Sequence, residues 1–122
     1  MHAIPRMTTE RVDVGDYTLP AEIPVLCSVW SLHRDPRFWD KPLQFDPSRW
    51  ADTDPRDRGY AFIPFGGGPR ICIGRHFAQL EAKATLATLC NQYRVTAPDD
   101  LVVSPKMTTQ PADPVHARFT KR

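Results

Sequence analysis

No stretch of this chain approaches the roughly 18 consecutive apolar residues that a membrane-spanning helix needs, and none reads as a secretory leader. Cysteine is scarce. There are three, an odd number without paired spacing, which argues against a disulfide framework and suits a reducing compartment. Neither sign of charge is in excess: 16 basic and 14 acidic residues leave a net charge of +2, and this gives no case for nucleic-acid binding. Internal repeats and low-complexity segments are absent too. With 122 residues, 41% of them hydrophobic and 25% charged, the expectation is one small, soluble, cytoplasmic domain.

Proline is plentiful, at 13 residues, so long parts of the chain must be irregular. Residues 10–30 read as strands. Val12 and Val14 alternate with polar neighbours, Gly15-Asp16 makes a turn, and Tyr17-Thr18-Leu19 runs back. Ile23 to Trp30 reads as a buried strand interrupted by Pro24, and Arg37-Phe38-Trp39 as one short helical turn. Between Asp40 and Pro64 there is almost no periodicity, and Pro42, Pro47, Pro55 and Gly59 punctuate it. The aromatics Phe45, Trp50, Tyr60 and Phe62 favour a packed coil there.

The spacing predicts one long helix over residues 74–93. Phe77, Leu80, Ala84 and Ala87 form one apolar stripe, and Ala82, Leu86, Leu89, Cys90 and Tyr93 an adjoining one. Such a face must be buried over much of its surface. Arg75, Gln79 and Lys83 make a polar edge. Short strands are expected near Leu101–Val103 and Val115–Phe119.

The chemistry concentrates just before that helix, in Phe65-Gly66-Gly67-Gly68-Pro69-Arg70-Ile71-Cys72-Ile73-Gly74. A cysteine ends a glycine-rich loop, at a helix N-terminus and two residues after an arginine. Both neighbours favour a metal-bound anion. A phosphate-cradling loop is the competing reading of the glycines. It is weakened by the lack of a Gly-Lys-Ser/Thr ending and of a strand directly before the loop.

The order Phe-Gly-x-Gly-x-Arg-x-Cys-x-Gly resembles the haem-binding loop of the cytochrome P-450 family, the haem-thiolate monooxygenases. The likeness extends along nearly the whole chain. His33-Arg34-Asp35-Pro36 with Phe38-Trp39 is similar to the family's stretch after its central strands, and Phe45-Asp46-Pro47-Ser48-Arg49-Trp50 resembles its Phe-x-Pro-x-Arg-Phe/Trp motif. Residues 106–122 resemble its last hairpin. The family's Glu-x-x-Arg helix and its long helix with an acid-alcohol pair have no counterpart here. The resemblance therefore implies that residues 1–122 are the C-terminal, haem-binding portion of a single cytochrome P-450 domain. The implied fold class is an α+β fragment of that mainly-α fold: N-terminal β-strands, a long irregular meander, the cysteine loop, one long helix and a C-terminal β-hairpin.

The resemblance also implies roles. Cys72 would be the proximal ligand of the iron of haem b (iron protoporphyrin IX), the alternative being a buried structural cysteine. Gly66, Gly67, Gly68 and Gly74 would let the backbone turn sharply and approach the porphyrin. Phe65 would shield the sulfur, and Arg70 would pair with a haem propionate. For Arg6 a second propionate site and a solvated surface arginine both stay open. Arg49, whose family partners are absent, is expected to be solvent-exposed or wrongly paired. Residues 1–5 and 104–109 resemble substrate-contacting segments, with turn packing as the alternative. Arg56, Arg58, Arg75 and Lys83 suit docking of an acidic ferredoxin, flavodoxin-like donor or reductase, or else form a solvated edge. The implied reactants are O₂ and a small apolar organic substrate, and a peroxygenase or hydroperoxide isomerase stays open within the family. A reading of another class is a catalytically dead fragment, with its helix face and Trp30, Trp39 and Trp50 left without partners. His33 and His76 lack metal-ligand spacing and read as surface or hydrogen-bonding residues. Cys27 and Cys90 read as inert core residues.

Overall fold

The computed structural model describes residues 2–98, 101–105 and 108–122. Residue 1, in one candidate substrate segment, and residues 106–107, in the other, lie outside the described residues. The chain divides into two compact units, Met1–Pro64 and Phe65–Arg122.

In the first unit, β1 (Ile4–Met7) pairs antiparallel with β4 (Pro24–Cys27), Ile4 opposite Cys27 and Arg6 opposite Val25. Between them lies the expected hairpin, β2 (Val12–Val14) with β3 (Tyr17–Leu19), closed by Gly15-Asp16. Thr8 knits the return to β4. Its hydroxyl donates to the Pro20 carbonyl (2.7 Å) and accepts from the Ile23 amide (2.9 Å), and its own carbonyl accepts from Glu22 (2.8 Å).

The stretch Ile23 to Trp30 is not one buried strand. Its strand ends at Cys27 and is largely exposed, and a short helix, α1 (Val29–Leu32), follows. Ser28 makes the switch, because its Oγ accepts from the Ser31 amide (3.2 Å) as an N-cap does. Asp35 then accepts the amides of Phe38 and Trp39 (both 3.0 Å), which gives the turn expected at Arg37-Phe38-Trp39.

The coil from Asp40 to Pro64 contains two 3₁₀ helices, Pro47–Trp50 and Pro55–Ala61. Each opens on an aspartate cap followed by proline, Asp46 and Asp54 accepting from the amides two residues on. Trp39 is the centre of this part and only 5% exposed. Its ring packs against Trp50 (centroids 5.7 Å apart) and Phe62 (5.8 Å), and its Nε1 donates to the Leu32 carbonyl (3.0 Å). Trp30 stacks on His2 (4.6 Å) and lies under the Arg34 guanidinium. The tryptophans therefore have partners within the chain. Of the four aromatic anchors in the coil, Trp50 and Phe62 pack, while Phe45 and Tyr60 are exposed. Ile4 and Val29, with Trp39, complete the buried apolar set among the described residues, all in this unit.

The second unit is built on α2 (Arg75–Gln92), which matches the expected helix to within a residue at each end. Its chain leaves directly into β5 (Tyr93–Thr96). That strand pairs antiparallel with the last one, β8 (Arg118–Lys121), Val95 opposite Phe119. Between them β6 (Val103–Pro105) and β7 (Thr109–Pro111) form a hairpin. The expected terminal hairpin is thus divided: the hairpin lies at β6–β7, and the final strand returns to β5. The apolar face of α2 is open rather than buried, with Phe77, Leu80 and Leu86 each more than half exposed. Among the described residues, no helix is long and apolar enough to cross a membrane.

Candidate functional site

The cysteine loop is shaped by main-chain geometry. Gly66 (φ 80°) and Gly68 (φ 67°) take left-handed conformations that side chains disfavour, and they reverse the chain twice. Pro69 sits at the start of a 3₁₀ turn, Gly68–Arg70, and the Ile71 amide closes that turn on the Gly68 carbonyl (3.1 Å). The Cys72 amide then donates to the Phe65 carbonyl (2.9 Å), which ties the two ends of the loop together. The Arg75 amide reaches the Cys72 carbonyl at 3.4 Å, and α2 begins.

The four glycines differ in conformation, and only Gly66 and Gly68 are left-handed. Gly67 (φ −152°) and Gly74 (φ −82°) have conformations open to other residues. At Gly74 a Cβ would lie 3.9 Å from Cys72 Sγ, an ordinary contact. Gly74 also offers no side-chain cap and the first turn of α2 holds no acidic residue. The helix's opening amides are therefore available to an anion.

Cys72 is exposed. Cys27 and Cys90 are exposed as well, against their expected place in a core. Phe65 is half-buried. Arg70 is exposed, and among the described residues its guanidinium has no hydrogen-bond or ionic partner. Arg6 lies in the other unit, exposed on β1, with its guanidinium donating to the Pro5 carbonyl (2.8 Å).

The expected basic docking set is not uniform. Arg56 is held bidentately by Asp54, with contacts down to 2.5 Å, and these bonds together with the Arg56 amide pull the Asp54 carboxyl down to about 2. Arg37 holds Asp35 in the same way and lowers it also. Arg58 lies over the Trp39 ring, with its Nε buried and unbonded. Arg75 donates to His76 Nε2 (3.1 Å), and Lys83 is exposed.

Arg49 corrects its expectation most clearly. It is half-buried rather than exposed, and it is not mispaired. Nε donates to the Asp46 carbonyl (3.1 Å), Nη1 to Asp40 (3.1 Å) and Nη2 to Gln44 (3.3 Å). One guanidinium thus holds three carbonyls of the irregular coil. Beside it lies a cleft of about 120 Å³ lined by His33, Trp39, Arg49, Trp50 and Phe62, with Pro42 and Gln44 at its edge. His33 serves there as an acceptor, its Nε2 taking the Ile63 amide at 2.9 Å.

Residues 1–116 match the family model described as Cytochrome P450. The chain belongs to the cytochrome P-450 family. Cytochrome P-450 4c3 of Drosophila melanogaster is 36% identical over 121 residues, covering 96% of this chain and 23% of its own length. Human cytochrome P-450 2U1 is 38% identical over 103 residues, covering 80% of this chain and 18% of its own. Flavonoid 3',5'-hydroxylase of Campanula medium is 34% identical over 104 residues, at 81% and 20%. Among solved structures, the haem domain of cytochrome P-450DA superposes with a TM-score of 0.85 at 31% identity, over 99% of this chain and 28% of that one. The chain thus spans about a quarter or less of the length of the curated relatives it matches, and its mixed helix-and-strand fold is part of the P-450 haem-domain fold.

Proposed function

We propose that Cys72, as thiolate, would hold a haem iron, and that residues 1–122 form the haem-binding portion of a single P-450 domain acting as a monooxygenase. The observation that carries this reading is an exposed thiol at the end of a backbone-closed glycine loop, three residues ahead of an uncapped helix. Among the described residues no group of three or more His, Cys, Asp or Glu could hold a metal ion. A single protein ligand suits an iron that a macrocycle also holds.

Bound haem b would supply O₂ activation, which consumes two electrons and two protons as one oxygen atom enters an apolar organic substrate and the other leaves as water. The electrons would come from a ferredoxin, flavodoxin or reductase. In this reading Cys72 donates charge to the iron, and the open amides at the start of α2 temper that charge. Gly66, Gly68 and Gly74 let the backbone come close to the porphyrin, Phe65 limits water at the sulfur, and Arg70 supplies a guanidinium for a propionate. Arg6 is a second such candidate.

Ferric haem added to the purified chain and to its Cys72→Ser, Cys27→Ser and Cys90→Ser variants tests the ligand. Only Cys72→Ser should abolish the low-spin thiolate signal in electron paramagnetic resonance. Retention of that signal in Cys72→Ser would reject the assignment.

A second reading concerns the chain by itself, and the exposed Phe77, Leu80 and Leu86 of α2 favour it. We propose that the 122 residues alone do not turn over substrate. Oxidation of any test substrate by the purified chain with an electron donor would overturn this.

A further inference from the structure

The irregular coil is pinned at its far end by one imidazole. His33, the residue capping the C-terminus of α1, presents Nε2 to the amide of Ile63 at 2.9 Å. The bond spans thirty residues of sequence. An imidazole nitrogen can accept an N–H only while it carries no proton. The ring is held by Phe62 (centroids 5.1 Å apart) and Trp39 (6.3 Å), so it has little freedom to turn and offer its other nitrogen.

We infer that His33 is a proton-sensitive latch on the segment from Asp40 to Pro64: neutral, it holds Ile63; protonated, it releases it.

The surroundings make release the outcome of protonation. A charged ring would place a donor against the Ile63 donor, and among the described residues no carboxylate lines the cleft to take up the new charge. The charged groups around it are cationic: Arg34 beside it in sequence, Arg49 on the 3₁₀ helix Pro47–Trp50, and Arg58 over Trp39 from Pro55–Ala61. Burial, with Arg34 adding to it, lowers His33 from the ordinary histidine value of 6.5. The latch is therefore fully closed above pH 6.5 and opens as pH falls through the lowered value. Trp50 and Phe62 (4.6 Å apart) pack within the same cluster, so opening also loosens the rings that organise the coil. Ile63 lies two residues before Phe65, so the residues released lead straight into the cysteine loop in sequence.

The test is amide hydrogen exchange of Ile63 in the intact chain at pH 7.5 and at a pH about one unit below the His33 ring's own NMR midpoint, corrected for the intrinsic pH dependence of exchange and needing no haem. In the wild type, protection should fall at least about fivefold at the lower pH, as expected for loss of one such bond. In His33→Gln, whose side-chain carbonyl can accept the bond without titrating, protection should be level. Unchanged protection in the wild type, or an equal fall in His33→Gln, overturns the proposal. A second readout avoids the variant altogether. The Ile63 amide and the His33 ring should titrate by NMR with one midpoint below 6.5, and an Ile63 amide that does not follow the ring overturns it equally.

Discussion

The amide of Cys72 donates to the carbonyl of Phe65 across 2.9 Å, so the cysteine loop is closed by its backbone and not by either side chain. The sulfur is free for other work while the loop keeps its shape. Substitutions should then divide by backbone conformation. Gly66→Ala and Gly68→Ala each place a Cβ at a left-handed φ and should cost about 1–2 kcal/mol. Gly74→Ala, at φ −82° with an ordinary contact to Sγ, should leave stability within about 0.5 kcal/mol. Denaturant unfolding of the three variants checks the order.

Trp39 should be the most sensitive position of the first unit. Trp39→Ala removes the ring that Trp50 and Phe62 pack on and should cost about 3–5 kcal/mol. Trp39→Phe keeps most of the packing but leaves the Leu32 carbonyl without its Nε1 donor, and should cost about 1–2 kcal/mol. Chemical denaturation followed by the fluorescence of the remaining tryptophans measures both.

Arg49→Met should destabilise the same unit by about 1–3 kcal/mol, because three carbonyls lose their donor while the aliphatic packing is kept. Arg49→Lys should recover little of this, since one ammonium cannot span the positions the guanidinium reaches. Their ranking by melting temperature, both well below the wild type and close to each other, checks the point.

Acid should act on the two aspartate–arginine pairs late. Asp54 is lowered from 3.8 to about 2 by hydrogen bonds from Arg56, and Asp35 is lowered by Arg37. A depressed carboxylate contributes stability that is complete above its unfolded value and is lost as pH falls through the folded one. Asp54→Asn should therefore flatten stability between about pH 4 and pH 2 and leave its pH dependence above pH 5 unchanged. The Asp54–Arg56 pair is solvent-exposed, so the effect at neutral pH should be small.

How much of this was legible in the sequence depended on range. The cysteine loop, the hairpin at Gly15-Asp16 and α2 were readable because the residues that specify them are neighbours. The strand at Tyr93–Thr96 was not, since its partner Arg118–Lys121 comes only after an intervening hairpin, and no local pattern announces that pairing. The apolar run from Ile23 concealed a strand followed by a helix. Short apolar runs fit either, and Ser28, as an N-cap, was the one local sign. Family resemblance pointed to Arg49 through partners absent from the chain, whereas its local carbonyls depend on how a coil without periodicity folds back. Cys27 and Cys90 illustrate the same limit: apolar neighbours in sequence do not assure burial in a chain with so small a core.

The central claim is that Cys72 binds haem iron as a thiolate. The visible spectrum of the haem-loaded chain, reduced under carbon monoxide, tests it most directly. The account predicts a Soret band near 450 nm, the position for which the P-450 family is named, and its loss in Cys72→Ser. A band near 420 nm in the wild type would mean that this chain by itself does not hold the thiolate, and a 450 nm band that survives in Cys72→Ser would contradict the account.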